Sequence, residues 1–225
     1  MYKIQTLNKI SEQGLRLLRD AGFAVADDTT TPDGIMVRSA KMLDMQFDPA
    51  LVAIARAGAG TNNIPISRCT EEGIVVFNTP GANSEAVKEL CICALLMASR
   101  DVVGGVEWVR SIADHGDEVA GMVEKGKSAF TGPEISGKTL GVIGLGAVGA
   151  KIANAALSLG MEVYGYDPYL SVAAAWQLSQ SVKNAVDLDT IYANCDYITL
   201  HVPYMDSTHH TTDAQDSLDY IRSSG

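Results

Sequence analysis

What this sequence has little of narrows it first. No stretch approaches the roughly 18 uninterrupted apolar residues that a bilayer crossing needs, although 47% of its 225 residues are hydrophobic. The opening MYKIQTLNKI lacks the apolar centre of a secretory signal. A soluble chain in the cytoplasm is therefore expected. Positive charge is scarce: 17 Lys and Arg stand against 27 Asp and Glu, a formal net charge of −10. That balance argues against a nucleic-acid partner or an acidic membrane surface, because neutralising phosphates needs clustered cations. The four cysteines, Cys69, Cys91, Cys93 and Cys195, are scattered. Cys91 and Cys93 lie in the apolar run LCICALLMA, where cysteine reads as a small buried hydrophobe rather than a metal ligand or redox centre.

What is present is a repeated alternation of short apolar runs and helix-like segments. Lys3 to Leu7 reads as a strand, followed by a helix from about Ser11 with Leu15 and Leu18 on one face and Gly22 as terminator. Further strands are expected at Ile35–Val37, Ala53–Ala55 and Ile74–Phe77, then a long helix over Glu85–Ser99. From Asp101 to Gly137 the rhythm weakens, consistent with a helix and loop between domains or with an ordinary surface excursion. It restarts at Lys138 with a strand at Leu140–Ile143 and a helix from Ala147 to Leu159 that turns Val148, Ile152, Ala155 and Leu159 inward. Strands at Glu162–Tyr166 and Tyr197–Leu200 follow. Such β-α alternation predicts an α/β fold with parallel sheets covered by helices.

The stretch TLGVIGLGAVG places Gly144, Gly146 and Gly149 after a strand and at the opening of a helix, with Asp167 at the end of the next strand. Each position has its own physics. Gly144 permits a tight turn, Gly146 lets backbone approach a pyrophosphate, and Gly149 lets helix and strand pack closely. Amides and dipole at the helix start then favour the phosphates. Asp167 would accept from the adenosine ribose and repel a 2'-phosphate, which predicts NAD over NADP. A glycine-rich turn followed by a surface Asp-Pro is the plainer alternative.

In the first half, Val37-Arg38-Ser39 and Arg56-Ala-Gly-Ala-Gly60 each follow a strand, at the carboxyl edge where open α/β sheets bind ligands. Arg38 offers a bidentate fork to a carboxylate or phosphate; as a surface ion-pair partner it would need no ligand, and both readings stay open. Asn83 or Ser84 is a plausible N-cap for the long helix. His201 ends a strand and fits a structural hydrogen bond best, while His115, His209 and His210 lie in weakly patterned or polar segments.

VRSA, ARAGAGTNNI, FNTPGANSEAVKEL, GKTLGVIGLGAVG, YGYDP and CDYITLHVP occur in this order, and together they resemble the D-isomer-specific 2-hydroxyacid dehydrogenases. The resemblance implies two Rossmann-like parallel-sheet domains: a flavodoxin-like substrate domain over 1–100 and an incomplete NAD-binding domain over 138–208. An interdomain and dimer-contact linker spans 101–137, and 209–225 is a polar tail. It implies substrate contacts from Arg38, Ser39, Gly58, Ala59, Gly60 and Asn83. It implies NAD contacts from Ala59, Gly144, Gly146, Ala147, Val148, Gly149, Asp167, Val202 and Pro203. The segment Val102 to Ser111, with Trp108, matches dimer contacts, so a homodimer or a pairing with a full-length paralogue is implied.

The activity implied is hydride transfer between a small 2-hydroxy acid and NAD, with 3-phosphoglycerate the favoured substrate, in serine biosynthesis. The family's catalytic arginine, carboxylate and histidine match no position of this sequence, so no catalytic residue is assigned. Lys138 to Gly225 is also shorter than the roughly 150 residues of a complete domain. A fragment, a changed frame after about Thr208 and a decayed copy all fit. The alternative function is a non-catalytic NAD-binding or oligomerising remnant.

Overall fold

The computed structural model describes residues 1–202 and divides the chain into two compact units, Met1–Asn83 and Ser84 onward. The first unit carries five parallel strands: β1 (Lys3–Leu7), β2 (Ala24–Ala26), β3 (Gly34–Val37), β4 (Ala53–Arg56) and β5 (Val75–Phe77). Their spatial order is β2-β1-β3-β4-β5, the flavodoxin-like arrangement expected from the sequence. Helix α1 (Glu12–Asp20) joins β1 to β2, and α2 (Ile66–Glu71) precedes β5. Gly22 ends α1 in the left-handed region at φ 88°, returning its amide to the Arg19 carbonyl. Ile35, Val37, Met42, Leu51, Ile54, Ile64, Cys69 and Ile74 form the buried core. Burial raises the Cys69 thiol's pKa.

The second unit begins with α3 (Ser84–Ser99), so the boundary falls at Asn83 rather than near residue 100. The reason is packing: Leu95 is buried with Leu140, Val142, Ile152 and Val163, and Cys91 and Ile92 pack on the same cluster. Then come α4 (Val102–Ile112), capped by Asp101 accepting from the Gly104 amide at 2.8 Å, and α5 (Val119–Gly126), each followed by a 3₁₀ turn. The weakly patterned stretch is thus largely helical. Trp108 and Phe130 stack at 5.1 Å between centroids, and a Cβ on Gly126 would lie 2.3 Å from the Trp108 ring.

Next come β6 (Thr139–Ile143), α6 (Gly149–Ser158), β7 (Glu162–Tyr166), α7 (Val172–Ala175), β8 (Lys183–Asn184), α8 (Leu188–Asn194) and β9 (Tyr197–Leu200). The sheet order is β8-β7-β6-β9, all parallel. In order of appearance this is 3-2-1-4, the beginning of a Rossmann sheet. The helix after the glycine loop starts at Gly149, not Ala147, and its buried face is Ala150, Ile152, Ala153 and Ala156. Ala155 is only half-buried and Leu159 is 41% exposed, so the expected inward set was rotated; the small alanines are what let α6 lie close. Cys93 is exposed, against expectation, because it sits on the outer face of α3 opposite Leu95. No helix among the described residues is long and apolar enough to cross a membrane.

Candidate functional site

The glycine loop after β6 is fixed by three contacts. Gly144, at φ 88°, donates its amide to the Tyr166 carbonyl at 2.8 Å. A Cβ there would stand 2.8 Å from the His201 backbone, so the loop passes directly beside the end of β9. A Cβ on Gly149 would stand 1.9 Å from the Gly144 carbonyl oxygen, which closes the turn onto the start of α6. Between them Leu145 is buried, its methyl groups against Gly165.

Gly146 differs from its neighbours. It is exposed, and a Cβ built on it meets nothing within 4 Å. Open space therefore lies over the loop where the other two glycines are packed tight. Ala147 is exposed beside it and Val148 is half-buried at the N-cap of α6. The geometry suits a pyrophosphate approaching backbone amides at a helix start.

Asp167 adjoins this space. One carboxylate oxygen accepts the Leu145 amide and the other the Tyr169 amide, each at 2.9 Å. A carboxylate has about four acceptor sites, so ribose hydroxyls can still be received. Val202 is half-buried and packs with Ile143, Ala185 and Ile191, its methyl 3.0 Å from where a Gly144 Cβ would be. Pro203, His209 and His210 lie outside the described residues. The ends of β6 and β9 form the crossing where the sheet order reverses, the place where such sheets take ligands.

Near that crossing His201 is a structural residue. Its amide donates to the Ile143 carbonyl, and its Nε2 shares a 2.9 Å hydrogen bond with the Thr199 hydroxyl. Burial lowers its pKa from the ordinary histidine value, favouring the neutral ring. His115 likewise lies beside a backbone carbonyl, that of Ile112, at 3.2 Å.

A second site lies within the first unit. A cavity of about 390 Å³ opens at the carboxyl ends of β3, β4 and β5, lined in part by Arg38, Arg56, Gly58, Asn78 and Asn83. Neither arginine forms a salt bridge among the described residues. Arg38 is exposed, whereas Arg56 is half-buried with a buried Nε that has no hydrogen-bond partner among the described residues. Gly58 allows this: a Cβ there would stand 2.3 Å from the Arg56 guanidinium.

The loop itself is tied to its neighbour. The Asn78 amide group donates to the Ala59 carbonyl at 2.7 Å, and the Thr79 amide to the Gly58 carbonyl at 3.0 Å. Ser39, Ala59 and Gly60 flank the cavity without lining it. Arg56 went unassigned in the sequence, although an arginine closing a strand at the carboxyl edge was the available signal. Asn8 was missed as well: its side-chain oxygen accepts the Ser39 amide at 2.9 Å and the Ala40 amide at 2.6 Å.

Comparison with known proteins agrees with the fold of the second unit and with an NAD cofactor. Residues 93–220 match the family model "D-isomer specific 2-hydroxyacid dehydrogenase, NAD binding domain". D-3-phosphoglycerate dehydrogenase of Methanocaldococcus jannaschii is 32% identical over 226 residues, covering 93% of this chain and 40% of that protein. Hydroxypyruvate reductase of Thermotoga maritima is 37% identical over 181 residues, covering 79% of this chain and 54% of that protein. The chain thus spans about half the length, or less, of these curated relatives. The NAD⁺-bound 3-phosphoglycerate dehydrogenase of Entamoeba histolytica superposes with a TM-score of 0.67 at 26% identity, covering 92% of this chain and 64% of that one. With a matched NAD-binding domain over more than half its length, this chain belongs to the D-isomer-specific 2-hydroxyacid dehydrogenase family.

Proposed function

We propose that this chain supplies the NAD site and the substrate-anion site of an NAD-dependent oxidoreductase that converts 3-phosphoglycerate to 3-phosphohydroxypyruvate, a step of serine biosynthesis. NAD, when bound, supplies the hydride acceptor. The observation that carries the substrate choice is that Arg38 and Arg56 line one cavity with no carboxylate paired to either among the described residues. A substrate with two anionic groups offers a counter-charge to each guanidinium, which a 2-hydroxy acid with an apolar tail does not. Ser39, Gly58, Ala59, Gly60 and Asn83 would complete that site. Gly144, Gly146, Ala147, Val148, Gly149, Asp167 and Val202 would hold the dinucleotide, with Pro203 following. Calorimetric titration of the purified chain tests both halves: binding of NAD and of 3-phosphoglycerate is expected, and D-lactate binding as tightly as 3-phosphoglycerate would overturn the substrate choice.

A second reading, a non-catalytic member that binds NAD and oligomerises, draws on two observations. Both described histidines at issue, His115 and His201, are bonded to uncharged groups rather than to a carboxylate. Val102, Val103, Val106 and Val109 on α4 are each about half exposed, an apolar surface suited to a second copy. Sedimentation as a dimer that binds NAD but not 3-phosphoglycerate would favour this reading.

A further inference from the structure

Arg38 makes no hydrogen bond or ion pair among the described residues, so what the structure fixes is the backbone from which its side chain starts. That backbone is the turn leaving β3, and the residue gripping it is Asn8, which leaves the adjacent strand β1. Leu7 and Val37 are partners in the β1–β3 register, so Asn8 and Arg38 emerge side by side at the carboxyl edge. They do so where the order of this sheet reverses, between β1 and β3.

Two features single out Asn8. It is the one non-glycine residue in the left-handed region among the described residues, at φ 71°. Asparagine is among the few residues that tolerate that conformation. Its side-chain oxygen also takes the amides of both Ser39 and Ala40, the two residues following Arg38. Asn63 also holds this turn, donating to the Ala40 carbonyl at 2.8 Å. The two residues that follow Arg38 are therefore held by both Asn8 and Asn63, and Asn8, Lys9 and Arg38 help line a further cavity of about 540 Å³.

We propose that Asn8 is a positioning residue for the substrate-anion site: held in the left-handed conformation, it fixes the Ser39 and Ala40 amides and so the backbone from which Arg38 reaches the bound anion. This rests on Arg38 being an anion ligand, as argued above. Asn8 itself is not a catalytic residue. It replaces the ligand-borne order that a free arginine turn would otherwise have to acquire on binding, which costs affinity.

The test uses the full chain and two variants. Asn8→Gly keeps the left-handed backbone at little cost and removes the acceptor, while Asn8→Asp keeps both conformation and acceptor. Titrations with 3-phosphoglycerate, inorganic phosphate and NAD are paired with amide hydrogen exchange at Ser39 and Ala40. Asn8→Gly is expected to weaken 3-phosphoglycerate and phosphate at least fivefold, leave NAD affinity unchanged, and speed exchange at both amides. Asn8→Asp should restore slow exchange. Unaltered anion affinity in Asn8→Gly, or equal loss of anion and NAD binding, overturns the proposal while leaving the anion site in place. Wild-type chain that binds neither 3-phosphoglycerate nor phosphate overturns the Arg38 site and the role of Asn8 together.

Discussion

The backbone amide of Leu145 donates to the carboxylate of Asp167 at 2.9 Å, so the residue just after β7 holds the middle of the turn that follows β6. One side chain thereby serves loop geometry and, in the proposed function, ribose recognition. Asp167→Ala should weaken NAD binding about tenfold or more, given roughly 1.5–3 kcal/mol for a hydrogen bond to a charged group. Asp167→Asn, which keeps an acceptor, should lose less. Calorimetry giving the same affinity for all three proteins would remove the ribose assignment.

The glycines of the loop separate packing from binding. Gly149→Ala drives a methyl into the Gly144 carbonyl and should lower the melting temperature by several degrees, in line with roughly 1–3 kcal/mol for overpacking. Gly146→Ala meets open space, so its melting temperature should match the wild type while NAD affinity falls about tenfold. Differential scanning fluorimetry with and without NAD reads both effects.

Arg56→Lys keeps the charge and loses the planar fork. Affinity for 3-phosphoglycerate should fall about tenfold, with NAD affinity unchanged. A titration showing no difference would exclude Arg56 from the site.

Glu85 is held near a pKa of about 2, against an ordinary 4.5, by hydrogen bonds from Lys151 first and Lys88 second. Its 2.6 Å contact with Lys151 links the start of α3 to α6. A depressed carboxylate contributes stability that is present above pH 4.5 and lost as the pH falls toward 2. Melting temperature should therefore fall less steeply across that window in Glu85→Gln than in the wild type. Because the pair is exposed, the difference should be modest and shrink in high salt.

Residues 1–225 on their own should bind NAD without reducing it in the presence of 3-phosphoglycerate. His201 is engaged by the Thr199 hydroxyl and His115 rests on the Ile112 carbonyl, so neither is oriented by a carboxylate among the described residues. NADH formation well above a protein-free control would show that one of the chain's own groups acts as the base.

The strands and the long helices were readable because period and punctuation agree. Lys3–Leu7, Glu162–Tyr166 and Tyr197–Leu200 each stand as short apolar or β-branched runs between turn residues, and Gly22 stops α1 where a left-handed residue was needed. β2, β8 and α2 escaped notice because three, two and six residues carry too little pattern to stand out. The assignment of α3 could not be read from its own sequence. An apolar helix fits either neighbour, and only its contacts with Leu140 and Ile152 decide which core it joins. Likewise the glycine spacing announced the tight turn between β6 and α6, whereas Asn8 acts across 31 positions on Ser39, a distance no local pattern spans.

The buried Nε of Arg56 places recognition and endurance in opposition. A polar group without a partner costs stability in the resting protein, a cost that a bound anion would offset in the proposed function. Exchange of Arg56 for methionine should thus yield a chain that melts higher than the wild type when ligand-free. If the proposed substrate site is right, it should also lose any thermal protection that added 3-phosphoglycerate gives the wild type by mass action. In the proposed function, selection for a sturdier first unit would erode the charge that the anion site needs.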